Sequence, residues 1–282
     1  MVNRKRRSVL WWVSGALCLA LLSGFGAAAS PAAPREMSPS VEPQVMEPRL
    51  YMPLVNKSWF VAYTYQDGFE NVNSGWPWGS GEFDYGYKTD PDGTQVYHVR
   101  MDGQEDVVFV TGPAQASGVF EYRAIMRRAT TEQPRQWGDE YGLLLSPTPI
   151  DPKNRAGSGV YTFEIELQIG SGTDTYFTVS KWSDVNAKSR TILKRAAEGS
   201  YLTGGAKIWN QLKIERSGDT LSFFVSRQEG AGFLPWKKVF DHTDPSLPDS
   251  MYIGFYSKHA EGAFEDYIVE FQFDTVYVSA HP

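Results

Sequence analysis

Cysteine is almost absent from this chain of 282 residues, which contains a single one, Cys18. The segment after Cys18 can therefore form neither a disulfide nor a thiolate metal site, and its stability must come from a hydrophobic core. Leu17 precedes Cys18 where a lipoprotein signal has a small residue, so we expect no lipid anchor there.

Several motifs that would indicate an enzyme class are also missing. His98, His242, His259 and His281 are far apart and form no metal-type pair, so zinc chemistry is unsupported. The sequence has no G-x-S-x-G elbow, no phosphate-binding loop and no dinucleotide fingerprint.

Positive charge is scarce as well. The chain carries 27 Lys and Arg against 33 Asp and Glu, a formal net charge of −6. Nucleic acid is not an expected partner, because a phosphate backbone requires a basic stripe. Neutral glycans or divalent cations suit this acidic composition better.

Residues 1–29 have the pattern of a secretory signal peptide. Four basic residues, Arg4 to Arg7, precede an apolar run over Val9–Leu22 and the small residues Ala27–Ala29, near which we expect cleavage. The apolar run is short for a membrane span, so we expect a secreted or cell-surface protein with no span after cleavage. Arg6 and Arg7 leave open a twin-arginine export route.

Residues 30–55 read as a Pro-rich linker. Five prolines and no aromatic residue occur between Ser30 and Arg49, so this stretch cannot bury enough apolar surface to order itself. From about Trp59 onward, short runs typical of β-strands alternate with Gly, Pro, Asn, Asp and Ser. The pattern predicts one all-β domain over residues 56–282, a two-sheet antiparallel jelly-roll sandwich.

The segment Trp209–Val225 predicts a β-hairpin. Its apolar residues share a buried face only if Ile214 lies opposite Phe223 and Leu212 lies opposite Val225. This register leaves Ser217–Thr220 as a four-residue loop.

The same segment resembles the W-N-x-L-x-I-x-R-x-G-x-x-L-x-F-x-V pattern of concanavalin A-like lectin and glucanase domains, including laminin-G-like and 3-keto-disaccharide-hydrolase-like members. Further landmarks follow in the family's order: Asp67-Gly68-Phe69, Ser74-Gly75-Trp76-Pro77, Tyr252-Ile253-Gly254-Phe255-Tyr256 and Phe273–Val278. The resemblance covers residues 59–279 and implies a concanavalin A-like sandwich. It does not select a function, because the superfamily contains binding modules, enzymes and structural modules.

Two neighbouring runs, Tyr161–Ile169 and Tyr176–Ser183, alternate apolar and polar residues. Their pattern places Glu164, Glu166, Tyr176 and Trp182 on one polar face, with Glu164 opposite Trp182 or Ser180. Aromatic rings beside carboxylates are typical of sugar sites. The alternative is an ordinary solvated face on which Trp182 is folded over a neighbour.

Glu164 and Glu166 also resemble part of the E-x-D-x-x-E motif of laminarinase-type glucanases. Alternate strand residues lie about 6–7 Å apart, a spacing that a carboxylate pair could use. The motif is incomplete, because its third acid would fall at Ile169 and its middle residue is Glu166 rather than Asp.

Other candidate residues lie outside these two strands. Trp78, Trp137 and Trp236 have Gly-, Pro- or Asp-rich surroundings, where a tryptophan either contacts a ligand or anchors its own loop. Asp67 and Asp274 are candidates for a structural calcium ion, the one cofactor considered, although both have ordinary explanations as turn-forming and edge-strand residues.

We therefore expect an exported, lectin-like module that binds a glycan or polysaccharide without catalysis, using Trp182, Tyr176, Glu164, Glu166 and Trp137. A glycoside hydrolase that uses Glu164 and Glu166 is the first alternative. A purely structural or adhesion module is the second. The oligomeric state stays open.

Overall fold

The computed structural model describes residues 63–81, 83–102, 107–130, 138–152, 155–167, 175–259 and 268–281. They belong to one compact unit, Pro53–Pro282. The strands in chain order are β1 (Tyr63–Asp67), β2 (Phe83–Thr89), β3 (Gln95–Asp102), β4 (Val107–Ser117), β5 (Val119–Arg128), β6 (Asp139–Ser146), β7 (Val160–Leu167), β8 (Thr175–Asp184), β9 (Ser189–Ala197), β10 (Asn210–Ser217), β11 (Thr220–Glu229), β12 (Gly232–Phe233), β13 (Lys237–Thr243), β14 (Ser250–Lys258) and β15 (Ile268–His281).

The strands form two antiparallel sheets. The nine-stranded sheet has the order β12-β11-β10-β5-β15-β3-β2, with β1 paired to β15 and β13 paired to β11. The six-stranded sheet has the order β4-β14-β6-β7-β8-β9. The predicted all-β, two-sheet antiparallel sandwich is therefore confirmed. Within the described ranges, no helix has the length and apolar character needed to cross a bilayer.

Aromatic side chains from both sheets meet in the core between them. The Phe255 ring of β14 stacks on the Phe273 ring of β15 with centroids 4.0 Å apart. Tyr141 of β6 stacks on Phe271 of β15 at 5.0 Å. These rings are fully buried, so their large apolar area contributes strongly to stability in a domain without disulfides.

The β10–β11 hairpin has the predicted register, since Ile214 pairs with Phe223 and Leu212 pairs with Val225. The predicted four-residue loop is wrong, because Ser217 and Thr220 also pair and leave only Gly218 and Asp219 in the turn. Gly218 has a φ of 57°, which a glycine adopts without steric cost. A glycine with positive φ at the first central position is typical of a type II′ turn.

The landmark segment after β1 is fixed by side-chain hydrogen bonds. Asp67 accepts the backbone N–H of Phe69 at 2.8 Å and the hydroxyl of Tyr65 at 3.0 Å. The buried Trp76 donates its indole N–H to the same Tyr65 hydroxyl at 3.1 Å and stacks on Phe255. Asp67 therefore shapes the turn that anchors Trp76 in the core.

Candidate functional site

The predicted polar face of β7 and β8 exists, but its register differs from the prediction. Glu164 pairs with Thr178, whereas the prediction placed it opposite Trp182 or Ser180. Ser180 instead pairs with Thr162, and Trp182 pairs with Val160. A shift of two residues keeps every side chain on its face, so the burial pattern alone does not distinguish these registers.

Trp182 lies on the predicted face but is not exposed. Only 2% of its surface is accessible, and its ring packs edge-on against Phe109 with centroids 5.0 Å apart. Its indole N–H donates to the Thr162 hydroxyl at 2.8 Å. The expectation that Trp182 is an accessible sugar platform is therefore wrong.

The burial of Trp182 has a clear cause in the outer face of the six-stranded sheet. Ile150 and Val185, from the segments after β6 and β8, form a second apolar cluster with Trp182 and Phe109. The Ile150 segment is held down by a hydrogen bond from its backbone N–H to the Thr111 hydroxyl at 2.8 Å. This end of the outer face is thus a small core of its own.

Glu164 is also buried, with no accessible surface. It accepts a hydrogen bond from the Thr162 hydroxyl, and one of its oxygens lies 3.4 Å from Nη1 of Arg190. Arg190 makes its shorter contacts with Glu140 of β6, through Nη1 at 2.7 Å and Nη2 at 3.0 Å. Two carboxylates on adjacent strands therefore share one guanidinium below the surface.

Two further side chains of β14 complete the Glu140 environment. The Tyr256 hydroxyl donates to Glu140 at 2.8 Å, and Nζ of Lys258 lies 3.4 Å from its other oxygen. Sequence reasoning missed Glu140, Arg190, Tyr256 and Lys258, because no local pattern reveals the strand order that brings β6, β9 and β14 into one sheet.

These surroundings move the pKa values of the two carboxyls in opposite directions. Burial, reinforced by the charge of Glu140, raises the pKa of Glu164 well above its ordinary value. Burial also acts against ionisation of Glu140, but hydrogen bonds and charge from Arg190 outweigh it and lower the pKa of Glu140. A charged Glu140 and a neutral Glu164 resemble an acid/base pair, but Glu164 has no exposed surface with which to meet a substrate.

Glu166 and Tyr176 lie further along the same face and are more accessible. Arg195 of β9 binds both oxygens of Glu166 at 2.6 Å, and its guanidinium lies 4.6 Å above the Tyr176 ring. The Thr178 hydroxyl also donates to Glu166 at 3.1 Å. We name Glu166, Tyr176 and Arg195 the β7–β9 surface. Glu164 and Glu166 thus engage different arginines.

The remaining predicted residues do not join this surface in the described structure. Trp137 lies outside the described residues. The oxygens of Asp67 serve its own turn, and Asp274 accepts a hydrogen bond from the Thr275 hydroxyl at 3.0 Å. In the part of the chain that the structure describes, no group of three or more His, Cys, Asp or Glu side chains could hold a metal ion.

Comparison with known proteins supports the fold. In sequence, the chain matches no family model and no curated protein. In structure, it is similar to a Lotus tetragonolobus seed lectin, with a TM-score of 0.50 and 13% identity over 79% of this chain and 99% of the lectin. It is equally similar to peanut lectin solved with a nine-residue peptide, with a TM-score of 0.50 and 11% identity over 80% of this chain and 99% of that lectin.

At these identities the likeness shows the fold alone. The chain contains a concanavalin A-like, lectin-type β-sandwich, as the sequence landmarks implied. What the fold binds must be argued from its own surface residues.

Proposed function

We propose that this protein is a non-catalytic glycan-binding module whose β7–β9 surface contacts the sugar. The observation that carries the proposal is the arrangement of Tyr176, Glu166 and Arg195, a partly exposed ring beside a fixed ion pair. An aromatic ring can pack against the apolar face of a pyranose, while carboxylate and guanidinium groups hydrogen-bond to its hydroxyls. Because the ion pair is already formed, little side-chain entropy is lost on binding.

Neither predicted acid has a free carboxylate at the surface, which supports sugar binding rather than sugar cleavage. Glycoside hydrolysis ordinarily uses two carboxyl groups that flank the scissile bond. Of the two predicted acids, Glu164 is sealed beneath the surface and Glu166 has both oxygens bound to Arg195. A glycoside hydrolase that uses Glu164 and Glu166 is therefore the weaker candidate.

We place this binding outside the cell or at the cell surface. The support is the succession of Arg4–Arg7, the apolar run Val9–Leu22 and Ala27–Ala29, which is the composition of an export signal. Glycans are abundant partners in that location, and a domain without cysteine pairs does not require an oxidising compartment to fold.

A glycan array probed with the purified full chain, with and without calcium, tests the proposal. Tyr176→Ala should weaken binding about tenfold or more, the scale of losing a key aromatic contact, whereas Tyr176→Phe should retain most of it because the ring remains. Phe233→Ala, which removes an exposed aromatic on β12, is the matched control and should bind as the wild type does.

Three outcomes would contradict the proposal: no glycan bound by the wild type, equal binding by Tyr176→Ala, or equal loss in Phe233→Ala. Dependence on calcium would add a structural calcium ion to the proposal, with Asp67 and Asp274 as the first residues to substitute. If a chelator leaves glycan binding unchanged, the proposal includes no calcium ion.

A further inference from the structure

Trp78 is the most exposed large hydrophobic residue among those the structure describes, with 77% of its surface accessible. It lies in the segment between β1 and β2 and takes no part in the core that holds Trp76, two residues before it. Leaving an indole in water forgoes the stabilisation that its burial would provide. An exposed tryptophan therefore either has no role, on a loosely held loop, or is available to a ligand, on a loop whose backbone is fixed.

The backbone on both sides of Trp78 is fixed. The backbone N–H of Trp76 donates to the Tyr87 hydroxyl at 3.0 Å, and the carbonyl of Pro77 accepts the Tyr97 hydroxyl at 2.7 Å. Gly79 exchanges two backbone hydrogen bonds with Tyr85, at 2.9 and 3.0 Å. The indole thus projects from a backbone that is tied to β2 and β3 at Trp76, Pro77 and Gly79, on both sides of Trp78.

Gly86 of β2 makes room for this display. A Cβ built on Gly86 would lie 2.9 Å from the Cβ of Trp78, closer than side chains approach each other, and the φ of Gly86 is +144°, a conformation that favours glycine. Gly86 alternates along β2 with Tyr85, which faces the core, so the Trp78 side chain begins over the outer face of the nine-stranded sheet.

Charged side chains of both signs flank Gly86 on that face. Asp84 and Lys88 precede and follow it by two residues. Asp84 pairs with Arg100 of β3, and Lys88 reaches across β3 to Glu270 of β15. Arg100 lies 3.9 Å from Asp84, with both side chains about 40% exposed, and Glu270 lies 2.7 Å from Lys88. A further carboxylate, Asp102, lies 4.0 Å from Arg100, so the surroundings of Trp78 offer hydrogen-bond donors and acceptors with a small excess of negative charge.

We infer that Trp78, with Asp84, Arg100 and Lys88, forms a second saccharide-binding site, which takes a neutral pyranose and is separate from the β7–β9 surface. The indole supplies a flat apolar face for the C–H groups of the ring, and the two ion pairs supply partners for its hydroxyls. The excess of carboxylates repels an anionic sugar, so the site favours a neutral one.

The surroundings of Trp78 also argue against a protein partner at this place. A stable protein interface buries about 1,200–2,000 Å² around an apolar centre. Among the other exposed large hydrophobics of the described ranges, Val72 is the one in the same segment, and the rest belong to β1, β5, β9, β12 and the approach to β10. An indole with one exposed apolar residue in its segment and ion pairs beside it suits a sugar ring better than a protein surface.

Titration of the full chain with soluble neutral hexasaccharides of glucose, xylose and mannose, followed by calorimetry and by iodide quenching of tryptophan fluorescence, tests this inference. In the wild type, a bound hexasaccharide should shield the most quenchable tryptophan. Trp78→Ala should remove that quenchable fraction and weaken binding about tenfold or more, while Trp78→Tyr should retain part of the affinity. Ile192→Ala, which truncates another exposed hydrophobic residue, on β9, should alter neither readout.

The same titration of a Tyr176→Ala variant distinguishes the Trp78 site from the β7–β9 surface. Loss of affinity in Trp78→Ala but not in Tyr176→Ala supports the second site even where the β7–β9 surface fails, and the reverse result overturns the second site alone. Equal hexasaccharide binding by Trp78→Ala and the wild type, or no binding by either, overturns it. A Trp78-dependent dimer in light scattering, without hexasaccharide shielding, would also overturn it and assign Trp78 to self-association.

Discussion

Glu140 and Glu164 share one nitrogen of Arg190, which lies 2.7 Å from a Glu140 oxygen and 3.4 Å from a Glu164 oxygen. Both carboxyls are buried, and a second cation, Lys258, approaches only Glu140. Burial and the charge of Glu140 raise the pKa of Glu164, whereas the closer contacts of Glu140 with Arg190 and Lys258 outweigh its burial and lower its pKa. The polar face that resembles a catalytic site in sequence is therefore a closed charge cluster beside the Trp182 core.

Replacing Glu164 with Gln should reduce the dependence of stability on pH. A carboxyl whose folded pKa is raised stabilises the protein at low pH and loses that contribution as pH rises through the folded value. Gln keeps the neutral form at every pH. We therefore expect Glu164→Gln to gain stability relative to the wild type as pH rises above the ordinary Glu value of 4.5, by about 1.4 kcal/mol for each unit by which the pKa of Glu164 is raised. Urea unfolding of both proteins across this range measures the difference, and parallel curves would contradict it.

Replacing Trp182 with Ala should destabilise the domain by about 3–5 kcal/mol, because it empties a large site in the second apolar cluster and removes the hydrogen bond to Thr162. Trp78→Ala is the matched control and should change the free energy of unfolding by no more than about 0.5 kcal/mol, since that indole is largely in water. Denaturant unfolding checks both. Near-equal losses in the two variants would show that Trp182 is not packed as described.

The faces of β7 and β8 could be predicted from sequence, because alternation reports directly which side chains point the same way. Phe163 and Val179 do lie in the core, with Glu164 and Trp182 on the other side. The alternation of apolar and polar residues could not show that the face with Glu164 and Trp182 is also buried. The segment of Ile150 that covers it has no periodicity and reaches Trp182 only through the tertiary fold.

The hairpin register could be predicted from sequence, whereas the contacts of the charge cluster could not. The Ile214–Phe223 register follows from residues close together in the chain, so the apolar pattern was sufficient to predict it. The contact of Tyr256 with Glu140 joins residues more than a hundred positions apart and depends on strand order. No motif in either segment indicates that order.

Phe223→Ala should cost about 3–5 kcal/mol of stability, because its fully buried ring packs edge-on against Phe163 across the two sheets, with centroids 5.2 Å apart. The adjacent Phe224 points to the opposite face and is only partly buried, so Phe224→Ala should cost about 1 kcal/mol. Thermal unfolding of the pair provides the measurement. A larger loss in Phe224→Ala would reverse the assignment of the two faces.

Gly218→Ala should destabilise the domain by about 1 kcal/mol, since alanine is strained at the φ of 57° that the two-residue turn requires. Gly218→Asn should be milder, because Asn tolerates this conformation. Gly232→Ala is the control, as no atom lies within 4 Å of its added Cβ and its φ is not positive. If the Gly218 and Gly232 variants unfolded at the same denaturant concentration, the tight turn would be excluded.

The wild-type chain should release no reducing sugar from β-glucans or other polysaccharides above the rate in buffer. Hydrolysis requires an acid and a second carboxyl on either side of the glycosidic bond, and Glu164 cannot reach that bond while Thr162, Trp182 and Arg190 enclose it. Glu166→Gln and Glu164→Gln should then behave as the wild type does in a reducing-end assay. The decisive contrary result is cleavage by the wild type that Glu164→Gln abolishes with its folding intact. That result would require Trp182 or Arg190 to move aside and would make the Glu140–Glu164 pair a working acid and base.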